Sequence, residues 1–240
     1  MNPLEAVEIA RRTMTLFFVV DTSSSMAGTK IGAVNTAIRE VLPELSDLSA
    51  ENADASIQLA CLDFASGCNW LITPSPVDGP CWTDLVAGGM TNMGAAFDEL
   101  NSKLSRHEFL QSSTGCFAPV VFLMSDGYPT DEYRSALNHL KENKWFQYAI
   151  RVAVAIGEDA DQNVLAEFTG NPELVLTAHT PEALKAMIRF VSVTSSKIGS
   201  QSSGIGVGQK GVQAKQAQMA DQVQEFNADS ADLNDLTDGF

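Results

Sequence analysis

Leu16–Met26 reads LFFVVDTSSSM, five apolar residues that break within one position into an acid and a run of serines. Leu16, Phe17, Phe18, Val19 and Val20 show no polar alternation, so they predict a strand buried on both faces, as in a parallel sheet. Asp21, Ser23 and Ser25 follow at a spacing of two, in a loop ahead of a helical segment that begins near Lys30. In open α/β sheets, ligands bind just beyond the carboxyl ends of the strands. One carboxylate and two hydroxyls there form a hard, all-oxygen surface suited to Mg²⁺. The same residue types also serve as ordinary loop and N-cap residues.

Outward from this stretch, apolar residues at helical spacing (Ile31, Val34, Ala37, Ile38, Val41, Leu42, Leu45) predict a helix over 30–48. Residues 56–64 read as a strand, with a tight turn at Ala65-Ser66-Gly67 and an antiparallel return over 69–73. The stretch 73–89, rich in proline and glycine, reads as a loop, and Trp82 and Leu85 within it suggest contact with a partner. The GGMTNMG loop (88–94) then opens a helix through Phe97, Leu100 and Leu104. PVVFLM (119–124) is a second wholly apolar strand, and it breaks into SDGYPTD (125–131). A helix is expected over 131–144, a strand over 150–156, a short helix over 161–168, a last strand over 174–177 and a helix over 181–193. Strands alternating with helices in this way predict a doubly wound, Rossmann-like α/β domain with helices on both faces.

Composition shifts near Ser195. Residues 195–211 read as a flexible linker, and 213–226 as a helix with a thin apolar stripe of Val212, Met219, Val223 and Phe226. The final NADSADLNDLTDGF is acidic and expected to be disordered when free, either docking on a partner or a neighbouring copy, or solubilising the chain. In the docking case Asp229, Asp232, Asp235 and Asp238 are the available ligands.

A net charge of −15 argues against nucleic acid as a partner. No apolar run reaches the roughly 18 residues of a membrane span, and no leader precedes the first strand, so a soluble cytoplasmic protein is expected. Cys61, Cys68, Cys81 and Cys116 have no zinc-like spacing. His107, His139 and His179 fall on or beside helices and loops, and no P-loop or nucleophile elbow is present.

Three loops therefore carry oxygen side chains: Asp21-x-Ser23-x-Ser25, Thr91, and Asp126. This set resembles the metal-ion-dependent adhesion site (MIDAS) of von Willebrand factor A (VWA) domains, a pattern of DxSxS, then Thr, then Asp, matched here at five positions across residues 12–195. FFVVDTSSSMAGTKIGAVN and VVFLMSDGYPTDEY are most similar to bacterial TerY-like proteins, which are named from tellurite-resistance clusters. The resemblance implies a mostly parallel sheet with one short antiparallel edge strand. It implies that Ser23, Ser25 and Thr91 bind Mg²⁺ or Mn²⁺ through hydroxyls, with Asp21 and Asp126 contributing directly or through water. With few charged ligands the ion stays electrophilic and takes an acidic side chain from a protein partner. A binding adaptor with no catalytic residues is thus implied, with a protein kinase and a PP2C-type phosphatase as partners in stress response or defence. Regulation of an AAA+ (MoxR-like) ATPase is the alternative. A metal-dependent phosphoesterase is disfavoured, because a single hydroxyl-held ion lacks a general base and a second metal. The cysteine-rich C-terminal segment of some TerY-like proteins is replaced by residues 196–240, a Gly/Ser/Gln-rich and acidic tail. Asp131 is expected at the N-cap of the helix after it, or in an outer role toward the metal.

Overall fold

A computed structural model describes residues 11–79, 81–157, 159–201 and 214–226. Strand β1 (Arg12–Asp21) lies at the centre of a six-stranded sheet. It pairs in parallel with β2 (Ala55–Phe64) on one side and β4 (Val120–Ser125) on the other. β5 (Ile150–Ile156) and β6 (Val175–Ala178) extend the parallel part, and β3 (Cys68–Pro76) closes the other edge antiparallel to β2. The order is β3-β2-β1-β4-β5-β6, a mostly parallel α/β sheet of the doubly wound class that the alternation of strands and helices implied.

The unbroken apolar run of β1 has a direct cause. Met14, Leu16, Phe18 and Val20 face a core shared with α1 (Thr29–Glu51) and α6 (Pro181–Gln201). Phe17 and Val19 face a second core, built with α2 (Met93–Lys103), α3 (Tyr133–Glu142), α4 (Lys144–Tyr148) and α5 (Gln162–Thr169). From Met14 onward each side chain of the strand is thus removed from water, and Phe18 meets Phe122 edge-on at 5.3 Å between ring centroids.

Several boundaries differ from the sequence reading. β1 begins at Arg12, four residues before the apolar run, because its pairing with β2 starts at Arg12 and Ala55; the Arg12 guanidinium also stacks 4.2 Å over Phe117 and donates to the Cys116 carbonyl. The helix expected over 131–144 ends at Glu142, and a second, unexpected helix follows at Lys144–Tyr148. Asn143 separates them: its Oδ1 accepts from the backbone of Trp145 and Phe146, and its Nδ2 donates to Asn101 Oδ1 at 2.8 Å. The loop after β3 turns inward: Leu85 is buried, and Asn35 of α1 bonds both its N–H and its carbonyl, as well as the Trp82 indole. Trp82 and Leu85 are therefore anchors of the loop, and Val86 is its exposed apolar residue. β3 is longer than the expected 69–73, and its register against β2 shifts twice, leaving Leu71 as an extra residue between the Ile72 and Trp70 pairs.

The largest difference is at the C-terminal end. α6 runs on to Gln201 with Ser195, Ser196 and Ile198 buried, past the point where composition suggested a linker. A seventh helix, 214–226 (α7), then contributes Met219, Ala220 and Val223 to the α1–α6 core. The acidic segment with Asp229, Asp232, Asp235 and Asp238 lies outside the described residues. Among the described residues no helix is long and apolar enough to cross a membrane. All four cysteines are free, with Cys61 and Cys116 buried as the sequence suggested.

Candidate metal centre

β1 delivers Asp21 to the carboxyl edge of the sheet, where it is fully buried. Both carboxylate oxygens are engaged. Oδ1 accepts from the Ser23 backbone N–H at 2.8 Å, and Oδ2 accepts from the Ser125 hydroxyl at 2.6 Å. The first of these bonds closes the chain into a turn that returns the serines over the strand end. Ser23 Oγ then lies 3.0 Å from Ser25 Oγ, the former buried and the latter exposed.

Backbone bonds fasten the second loop to the first. Gly88 N–H donates to the Thr22 carbonyl at 2.7 Å, and Ser24 N–H to the Gly89 carbonyl at 3.1 Å. Gly89 needs its freedom, with φ +87°, because an added Cβ would lie 2.7 Å from Ser66 Oγ. Thr91 and Thr130 exchange two bonds at 2.9 Å, which tie the second loop to the third. In the third, Asp126 is fully buried and its carbonyl accepts from Asp161 N–H at 2.8 Å. Asp126 Oδ2 accepts from Lys30 Nζ at 3.2 Å, while Oδ1 has no hydrogen-bond partner among the described residues. The three oxygen-bearing loops are thus stitched together at one end of the sheet, with Asp21, Ser23, Ser25, Thr91 and Asp126 among them.

Charge is held under tension there. Burial pushes the Asp21 carboxyl up from its ordinary value, against the bonds from Ser125 and Ser23, and the charge of Asp126 pushes the same way as burial. Burial also works to lower the Lys30 ammonium, but its bonds to Asp159 and Asp126 outweigh that and hold it above the usual lysine value. Lys30 is thus shared between buried Asp126 and exposed Asp159, and a buried anionic oxygen without a partner is costly. Such an orphaned oxygen, on one of three joined loops whose other side chains offer neutral hydroxyls, is of the donor type that a small hard cation takes. The residues fit a divalent ion.

Two residues of the site were not legible in sequence. Ser125 is the last residue of β4, and the parallel register that pairs Val20 with Met124 sets Asp21 opposite it. Lys30 reaches the site from the first turn of α1. Asp131, conversely, does not cap the helix that follows it: Glu132 does. Asp131 accepts from Gly94 N–H at 2.9 Å and Ala95 N–H at 3.3 Å, and so caps α2 from another loop. Gly94 permits this, since a Cβ there would lie 2.9 Å from Asp131 Oδ2. Replacing Asp131 by alanine should cost about 1 kcal/mol, as for a lost cap, or roughly 2–4 °C in Tm for a domain of this size. An unchanged melting curve would count against the capping role.

No protein-family model matches the chain, and a search of curated proteins finds no match. Solved structures do share its architecture. The pilus adhesin SpaC of Lactobacillus rhamnosus GG aligns at TM-score 0.58 and 13% identity, over 79% of this chain and 31% of that one. A von Willebrand factor type A protein of Catenulispora acidiphila aligns at 0.56 and 15%, over 77% and 43%. Proximal thread matrix protein 1 of the mussel byssus, in a structure with a zinc-occupied MIDAS motif, aligns at 0.57 and 15%, over 78% and 48%. The chain spans less than half the length of each. At such identities the likeness is one of fold: the chain has the von Willebrand factor A fold.

Proposed function

We propose that the chain is a metal-dependent protein-binding module, in which Asp21, Ser23, Ser25, Thr91 and Asp126 hold Mg²⁺ or Mn²⁺ and present it to an acidic side chain of a partner. The observation that carries this is the buried Asp126 Oδ1, left without a hydrogen-bond partner among the described residues. The zinc-occupied MIDAS motif of the mussel protein supports the same use of the fold. Three hydroxyls bring no charge, so a dication held by them keeps its attraction for a further carboxylate. Around this point Val86, Met90 and Tyr128 are exposed, and apolar rim contacts of this kind would add to a charge-led encounter.

The reading is of a binding module and not an enzyme. Ser23 Oγ bonds to Ser25 Oγ, and a single ion held mainly by hydroxyls supplies neither a general base nor a second metal. In its finer form the reading sets the module in the cytoplasm, in a TerY-like, kinase- and phosphatase-associated stress-response or defence system. The SDGYPTD loop and the four free cysteines support that setting.

Affinity capture from the native cell tests the proposal, with wild type and Asp126→Ala each in Mg²⁺ and in EDTA. A protein retained only by wild type in Mg²⁺ supports it. The same proteins in all four samples would overturn it.

A further inference from the structure

Lys30 lies in a built seat. Its side chain is 17% exposed, and its ammonium bridges Asp126 Oδ2 at 3.2 Å and Asp159 Oδ1 at 2.8 Å. Gly157, at φ +94°, leaves room for it: a Cβ at that position would fall 2.6 Å from Lys30 Cε and 2.9 Å from Asp159 Oδ1. The two carboxylates differ in kind. Asp126 is fully buried, whereas Asp159 is 68% exposed and can satisfy the ammonium at the edge of solvent.

We propose that Lys30 is an internal counter-cation of the metal centre, holding Asp126 in the metal-free protein and yielding that carboxylate to the incoming ion while it stays on Asp159. The inference rests on the metal-binding reading above. It follows from charge: a buried carboxylate needs a positive partner, and a lysine and a dication on one carboxylate repel each other. The lysine keeps the empty centre folded and raises the metal concentration needed to fill it. Asp159 is the positioning residue that receives the lysine when it is displaced.

Calorimetric titration of Mg²⁺ and of Mn²⁺ tests this on wild type, Lys30→Met, Asp159→Asn and the double variant, with thermal melts in EDTA and in saturating Mg²⁺. A neighbouring positive charge commonly lowers a carboxylate's affinity for a proton by about one to three logarithmic units, and the same repulsion acts on a dication, so Lys30→Met should bind Mg²⁺ about tenfold tighter or more. It should melt below wild type in EDTA, and that deficit should shrink in Mg²⁺. Asp159→Asn, a surface change, should weaken binding in the presence of Lys30 and have little effect in the Lys30→Met background. Equal or weaker binding by Lys30→Met would overturn the inference, as would an Asp159→Asn effect that is the same in both backgrounds. Failure of wild type and Lys30→Met alike to bind either ion would overturn the metal-binding reading, and this inference with it.

Discussion

Asp21→Ala should abolish the Mg²⁺-induced rise in melting temperature and weaken metal binding by more than about 100-fold, beyond the 10–100-fold typical of losing a group that only supports a ligand. Asp21 has two tasks that no neighbour can take over. It is one of two buried carboxylates at the site, and its oxygens orient Ser23 through the backbone and Ser125 through the hydroxyl. Alanine removes a negative charge and frees the turn that aims Ser23 and Ser25. Stability in EDTA should change far less than metal binding does. Two donors lose their acceptor, at about 1–3 kcal/mol for each that stays buried, but a carboxylate whose burial is unfavourable disappears with them. Titration calorimetry and melts with and without Mg²⁺ separate the two effects. A full Mg²⁺ shift retained in Asp21→Ala would exclude Asp21 from the ligand set.

Met219→Ala should destabilise the protein by about 2–5 kcal/mol, the range for truncating a buried methionine, whereas an exposed position in a loose tail would change by within about 0.5 kcal/mol. The side chain is fully buried, as is that of Val223 one helical turn on. Three further contacts hold α7 in place. Gln216 donates to the Ala149 carbonyl at 2.5 Å, Gln224 to Glu173 at 2.6 Å, and Phe226 stacks on Phe190 with centroids 4.5 Å apart. Urea unfolding followed by circular dichroism would measure the loss, and a midpoint equal to wild type would mean that the helix does not share the cooperative core.

The fold was legible because its signal is local. A strand buried on both faces must be apolar at every position, so β1 and β4 announced themselves, and the abrupt polarity after each marked the carboxyl edge where the site lies. The five oxygen-bearing residues proposed for the site stood out for the same reason: each lies at or just beyond the end of a strand, or just before a helix. What escaped depends on distant partners. Ser125 matters through strand register, Lys30 through a side chain reaching 96 positions along the chain, and Asp131 through a helix 37 residues earlier. Asn143 reads as one more helical residue until its contacts to Asn101 and Leu104 are seen. The docking of α7 was hidden by composition, since a thin stripe of Met219 and Val223 is enough when the receiving groove is already apolar.

The shape of β3 bears on how copies of the protein behave when crowded together. Its residues carry no charge, and an uncharged edge strand ordinarily invites a second molecule to add its own strand and start a growing chain. Here the two register shifts break the straight row of amides, and Pro74 and Pro76 have no N–H to offer. The opposite edge, β6, is only four residues long. Among the described residues neither border of the sheet is a template for polymerisation, so the protein can be concentrated without its sheets fusing.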